Sequence, residues 1–303
     1  MEFHFLGTGA GIPSIERNVS ACAVRFLQNG QQWLFDCGEA TQQQILRSSI
    51  SLVKIERIFI SHLHGDHIYG LPGVLGSRSF QGGESPLTIY GPKGLKAFIQ
   101  AALEVSNTHI RYPIEIIEIE AGFYFETDTH RVDVEELDHV MPSFAFRVAE
   151  RDRPGTLNVE ALMKRGIMPG PLYSRLKKGE KVELENGDIM NGHDFIGPPK
   201  KGRSFVYAGD TRPVEKLVTF AKGVDVLIHE ATFREDRREH AHQFGHSTIK
   251  DATELAQRAG VHALILTHIS SRYAGLKEEL EEEAKQGFMN SYLAEDFYIH
   301  HLP

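Results

Sequence analysis

The stretch ISHLHGDHIYG, residues 60–70, places His62, His64, Asp66 and His67 within six positions. The apolar run Ile58-Phe59-Ile60 reads as a buried strand, and Gly65 lets the following loop bend sharply. In an extended or turn conformation His62 and His64 reach the same side, while Asp66 and His67 project elsewhere. One loop can therefore supply two adjacent metal ions. Imidazoles and carboxylates suit zinc, manganese or iron, and the absence of a nearby thiolate argues against a structural zinc finger. The helical H-E-x-x-H arrangement is excluded, because both the spacing and the preceding strand are wrong for it.

Outward from this loop the same pattern recurs, a short apolar run that stops at His or Asp. Phe205-Val206-Tyr207 leads to Asp210, Val226-Leu227-Ile228 to His229, and Leu264-Ile265-Leu266 to His268. Helical patterns lie between, at 92–105, 213–222 and 248–258, so the chain is α/β with helices packed on sheets. Ligands of such folds collect at the carboxyl ends of strands, where these polar residues fall. Residues 113–150 alternate apolar and polar positions at period two, which predicts antiparallel strands. From about 151 to 203 the periodicity weakens and Gly and Pro accumulate, and a segment this long predicts an inserted arm with a function of its own.

The 303 residues suffice for one large domain or two modest ones, and 41% apolar with 24% charged residues is ordinary for a globular protein. No uncharged apolar run is long enough to span a membrane, and no export signal opens the chain, so a cytoplasmic protein without membrane association is expected. Cys22 and Cys37 lack the spacing of a zinc or redox pair and read as small buried apolar side chains. A net charge of −8 speaks against a general nucleic-acid binder, but the charge is uneven. Residues 151–203 hold eleven Lys/Arg against seven Asp/Glu, a local +4, while the five glutamates within 278–283 read as a solvated helix face.

The glycine-rich start, FLGTGAGIP (5–13), together with Asp36 after Trp33-Leu34-Phe35, invites a dinucleotide. Spacing rejects it: the third glycine of G-x-G-x-x-G would fall at Ile12, and Asp36 lies too far on.

H-x-H-x-D-H after a strand is similar to the signature of the metallo-β-lactamase fold. The longer run HLHGDHIYGLPGVLGSRSFQGG (62–83) resembles the ribonuclease Z family, the short form of the tRNA 3′-processing endoribonucleases. FLGTGAGIP, LFDCGEATQQQ (34–44), YAGDTR (207–212), HEATF (229–233), HST (246–248) and LTHIS (266–270) follow in that family's order. The resemblance covers essentially the whole chain. It implies a four-layered αβ/βα sandwich of two mixed sheets, with a flexible tRNA-binding arm inserted at about 151–200.

It also implies that His62, His64, His139 and Asp210 hold one zinc ion and that Asp66, His67 and His268 hold a second, with Asp210 bridging. Manganese or another divalent ion is an alternative. On the residues alone, Asp210-Thr211 could instead cap the following helix, and His139 could be a turn residue, with His130 as its rival. In the family reading Asp66 orients the attacking water and accepts its proton, while His246, oriented by Glu230, donates a proton to the leaving ribose oxygen. His229, Ser247 and Thr248 act near the scissile phosphate. Thr248 with Asp251 also reads as a helix-capping pair. Gly170, Pro171, Arg175, Lys177 and Lys178 match the arm that grips tRNA, through backbone phosphates. Short members of the family are homodimers in which one subunit's arm serves the other's site. The loop PSIERN (13–18) takes the place of the family's P-x-K-x-R-N, associated with the tRNA 3′ end. Pro13, Arg17 and Asn18 match, and Ile15 stands at the lysine position.

Overall fold

The structure is a computed structural model that describes residues 1–184 and 187–303; positions 185 and 186, inside the expected arm, lie outside the described residues. Two compact units are distinguished, one of residues 1–125, 132–148 and 204–303, the other of residues 126–131 and 149–203.

Strands are numbered in chain order. The first sheet takes β1 (Glu2–Gly7), β2 (Ala21–Arg25), β3 (Gln32–Phe35), β4 (Ile55–Phe59), β5 (Leu87–Gly91), β6 (Ile114–Glu118) and β16 (Ile299–His301), in the order β16-β1-β2-β3-β4-β5-β6. The second takes β7 (Tyr124–Glu126), β8 (His130–Glu136), β9 (Phe144–Glu150), β12 (Ser204–Ala208), β13 (Val226–Glu230), β14 (Ala263–Thr267) and β15 (Ser291–Leu293), in the order β15-β14-β13-β12-β9-β8-β7. The period-two stretch 113–150 divides between them. β6 pairs in parallel with β5, which corrects the expectation that the whole stretch forms antiparallel strands. Alternation reports that a strand has one wetter face and says nothing of its neighbour's direction.

Phe3, Phe5, Phe35, Phe59, Phe146, Phe205 and Tyr207 fill the space between the sheets, with Phe35 stacked on Phe59 at 4.8 Å and Phe146 edge-on to Phe59 at 5.3 Å. Each sheet's other face is covered by helices. Leu71, Val74, Leu75, Leu95 and Ile99 pack on the first, and Leu217, Ile249, Leu255, Leu280 and Ala284 on the second. The result is four layers, helix on sheet on sheet on helix, the metallo-β-lactamase architecture. Cys22 and Cys37 are buried free thiols, and burial pushes both well above the ordinary thiol range.

In the second unit, helices Val159–Lys164 and Pro171–Lys177 and the hairpin of β10 (Lys181–Glu183) and β11 (Ile189–Asn191) enclose Leu162, Leu176, Val182, Met190 and Phe195. Pro171 sits in the first helical turn, where its missing N–H costs nothing. Arg175 pairs with Glu180 at 2.9 Å, while Lys177 and Lys178 are exposed. Among the described residues no helix is long and apolar enough to cross a membrane.

Candidate metal centre

The chain leaves β3, β4, β12 and β14 at one edge of the sheets, and Asp36, the His62–His67 loop, Asp210 and His268 stand just past those strand ends. His139 comes from the turn between β8 and β9, and Glu230 ends β13. His130, the rival of His139, is elsewhere, buried with its Nε2 3.9 Å from Glu150. The capping alternative for Asp210-Thr211 also falls away, because the helix Glu215–Phe220 has Val214 as its N-cap.

The imidazoles of His62, His67, His139 and His268 are each oriented by a bond on the outer nitrogen. Ser61 donates both its N–H (2.7 Å) and its hydroxyl (2.9 Å) to Asp36, so its oxygen accepts from His62 Nδ1 at 3.0 Å. His67 Nδ1 donates to Asp36 Oδ2 at 2.8 Å, and His139 Nδ1 to the Gly245 carbonyl at 2.7 Å. Thr232 gives its hydroxyl proton to Glu230 at 2.6 Å and therefore accepts from His268 Nδ1 at 2.8 Å. With these four Nδ1 atoms committed outward, the Nε2 atoms of His62, His67, His139 and His268 face inward, and His64 presents its Nδ1 to them.

Those inner atoms crowd. His62 Nε2 and His139 Nε2 lie 3.0 and 3.3 Å from His64 Nδ1, His67 Nε2 lies 3.4 Å from His268 Nε2, and Asp210 Oδ2 stands 3.3 Å from His268 and 3.6 Å from His62. Two facing lone pairs cannot hydrogen-bond, whereas a tetrahedral ion with ligands at about 2.0–2.1 Å spaces its donors by about 3.3 Å. Overlapping donor groups result among the described residues: His62, His64, His139 and Asp210; Asp66, His67 and His268; and Asp210 with His268 and His246, so that Asp210 reaches toward both of the first two.

The charges agree. Asp36, Asp66 and Asp210 are at most 9% exposed, and among the described residues the ion-pair partners of Asp66 and Asp210 are histidines. Burial opposes ionisation of Asp66, but facing His67 and His268 hold its carboxyl far below the usual range. Burial and then the neighbouring imidazoles push His62 well below its ordinary value. Burial works against charge on His67, yet the carboxylates of Asp210, Asp36 and Asp66 hold it well above its ordinary value, so the buried carboxylates draw positive charge into the cluster. Buried carboxylates beside imidazoles make a site for a divalent cation.

Glu230 is 1% exposed and saturated: Thr211 N–H (3.0 Å) and His246 Nδ1 (3.0 Å) donate to Oε1, and Thr232 N–H (3.2 Å) and hydroxyl to Oε2. Burial works against charge on His246, yet the Glu230 carboxylate outweighs it and raises His246 to about 9. Nδ1 is committed to Glu230, which leaves Nε2 as the nitrogen that can meet a substrate. Ser247 donates to Thr211 O at 2.7 Å, and Thr248 forms the expected capping box with Asp251. His229 is buried with Nδ1 bonded to the Glu230 carbonyl. These three side chains are enclosed and turned to internal partners.

The glycine loop joins the centre from another direction. Gly11, at φ +71°, donates its N–H to Asp66 Oδ2 at 2.8 Å. Arg17 donates to Thr8 Oγ1 (2.7 Å) and Ala294 O (2.6 Å), and the Asn18 amide to Glu39 O (2.9 Å), so both side chains brace the loop while Ile15 is fully exposed. Sequence reasoning missed Asp36, Thr232 and the Gly245 carbonyl as orienting groups. Asp36 carried the usable signal, an apolar run ending in a carboxylate like the other site residues.

Comparison with known proteins agrees with this fold. A family model described as a β-lactamase superfamily domain matches residues 195–269, and one described as anti-Pycsar protein Apyc1 matches residues 1–150. Fold and site together define a metallo-β-lactamase-fold enzyme. A ribonuclease Z from Halalkalibacterium halodurans is 62% identical, with 100% of this chain and 99% of the relative covered, and one from Shouchella clausii is 55% identical, with 100% and 97% covered. The crystal structure of the short form of human tRNase Z superposes with a TM-score of 0.74 at 30% identity, covering all of both chains. The chain belongs to the ribonuclease Z family of endoribonucleases.

Proposed function

We propose that the enzyme removes the 3′ trailer from precursor tRNA, cutting after the discriminator nucleotide to leave a 3′-hydroxyl on the tRNA and a 5′-phosphate on the trailer. It does so in the cytoplasm, as a homodimer in which the arm of one subunit serves the site of the other. The observation that carries the chemistry is the pair of inward-facing donor sets sharing Asp210. Kinship with a tRNase Z supports the substrate.

His62, His64, His139 and Asp210 would hold one zinc ion and Asp66, His67 and His268 the other, with Asp210 within reach of both groups; manganese or another divalent ion could take their place. Such a pair makes water a nucleophile near neutral pH and takes up charge on the attacking and leaving oxygens. Asp66, steadied by the Gly11 N–H, orients the water and accepts its proton. As the P–O3′ bond breaks, His246 protonates the ribose 3′-oxygen through Nε2, and Glu230 holds the ring and favours its charged form. Ser247 and Thr248 follow His246 at the start of the helix Ile249–Ala259, Ser247 holding the Thr211 carbonyl and Thr248 capping the helix, while His229 Nδ1 bonds the Glu230 carbonyl, so the three fix the backbone that meets the scissile phosphate. Arg175, Lys177 and Lys178 contact backbone phosphates of the tRNA body, with Gly170-Pro171 setting the turn that presents them. Arg17 and Asn18 shape the loop that meets the substrate 3′ end.

Incubation of zinc-loaded protein with a 3′-extended precursor tRNA tests this. A single cut with a 3′-hydroxyl after the discriminator is expected; progressive shortening from the 3′ end overturns the proposal.

A further inference from the structure

Asp296, just beyond β15, lies outside every motif considered above, yet its carboxylate gathers donors from three distant segments. Thr8 gives its N–H (3.1 Å) and hydroxyl (2.9 Å) to Oδ1, while the Asn18 N–H (2.7 Å) and Gln44 Nε2 (2.8 Å) donate to Oδ2. Thr8 and Asn18 are the two ends of the glycine loop, so one side chain fastens both. The loop is further closed by the Gly9 N–H on Asn18 O at 2.8 Å, and Gln44 also donates to Leu6 O at 2.8 Å.

From this anchored loop, contacts run to two members of one donor set. The Gly11 N–H holds Asp66 Oδ2. Thr8 O accepts from Ile269 N at 2.8 Å, and Ala10 N donates to Ile269 O at 3.1 Å. Ile269 follows His268, whose φ of +57° is costly for a residue with a Cβ and persists only where its surroundings impose it. The other set hangs from different supports, His62 from Ser61 and His139 from Gly245.

We infer that Asp296 is a positioning residue for the metal centre, acting through the glycine loop to set Asp66 and His268 and hence the affinity and reactivity of the ion they hold. The inference rests on the reading of Asp66, His67 and His268 as one ion's ligands.

The test is zinc titration of chelator-stripped protein against a coloured chelator, wild type beside Asp296→Asn, with turnover of bis(p-nitrophenyl) phosphate by the reloaded proteins. An amide turns a donor toward half of the four donors that the carboxylate accepts. The expected result is two zinc ions on the wild type, and on the variant one at wild-type affinity and one weakened ~10-fold, the size of effect that an outer partner of a metal ligand has. The kcat should fall by a similar factor with KM little changed. Equal weakening of both ions, or wild-type affinity for both, overturns the inference. A wild type that binds no zinc overturns the metal-centre reading itself, a separate result visible before any variant is made. Should Asp296→Asn fail to fold, Thr8→Val, which removes only the hydroxyl between Arg17 and Asp296, is read by the same criteria.

Discussion

The carboxylate of Glu230 and the imidazole of His246 meet at 3.0 Å, and every other acceptor position of Glu230 is already taken by Thr211 and Thr232. The ring can neither slide along the carboxylate nor exchange it for water. His246→Ala should lower kcat by about 10²–10⁴-fold with bound metal retained, the usual worth of a positioned proton donor. Single-turnover cleavage together with metal analysis checks this.

Asp36→Asn replaces an acceptor of bonds from Ser61, His67 and Tyr207 by a group that must donate to one of them. His67 and, through Ser61, His62 then lose orientation. Metal affinity should fall by about 10–100-fold, measured by chelator competition.

Metal removal should cost stability as well as activity. Buried Asp66 and Asp210 pair with histidines, and an ion at one hundred times its Kd stabilises the folded state by about 2.7 kcal/mol per site. Urea unfolding of stripped and zinc-reloaded protein should differ by at least this amount, and RNA cleavage should vanish and return with the metal.

Deleting residues 155–195 should abolish cleavage of precursor tRNA and leave hydrolysis of bis(p-nitrophenyl) phosphate intact. Lys177→Ala and Lys178→Ala should each weaken tRNA binding and reduce its salt dependence by about one unit of slope, as loss of one phosphate contact does. Loss of both activities in a deletion variant whose core remains folded would remove the arm from substrate binding.

In the core, Phe146→Ala should cost about 3–5 kcal/mol, since Phe146 packs edge-on against both Phe35 and Phe59 between the sheets. The thermal midpoint should drop while the stoichiometry of bound zinc is kept.

The α/β class and the strand ends that carry polar residues were legible because an apolar run that stops at His or Asp is a local pattern. His62, His64, Asp66 and His67 were legible for the same reason, being neighbours on one loop. The parallel pairing of β6 was not, since β5 and β6 are joined through the helix Leu95–Val105 and period-two alternation is silent about partner direction.

By itself the sequence determined which side chains can hold metal and that they emerge from strand ends, because residue type and spacing are properties of short segments. Only the tertiary structure decided which nitrogen of each histidine faces inward. That depends on Asp36, Thr232 and the Gly245 carbonyl, brought from remote segments by the two sheets. It also decided the meaning of the glycine loop: Asp296, 285 positions from Gly11, fastens the segment whose N–H holds Asp66, a connection that exists only once the C-terminal strands have folded against the first.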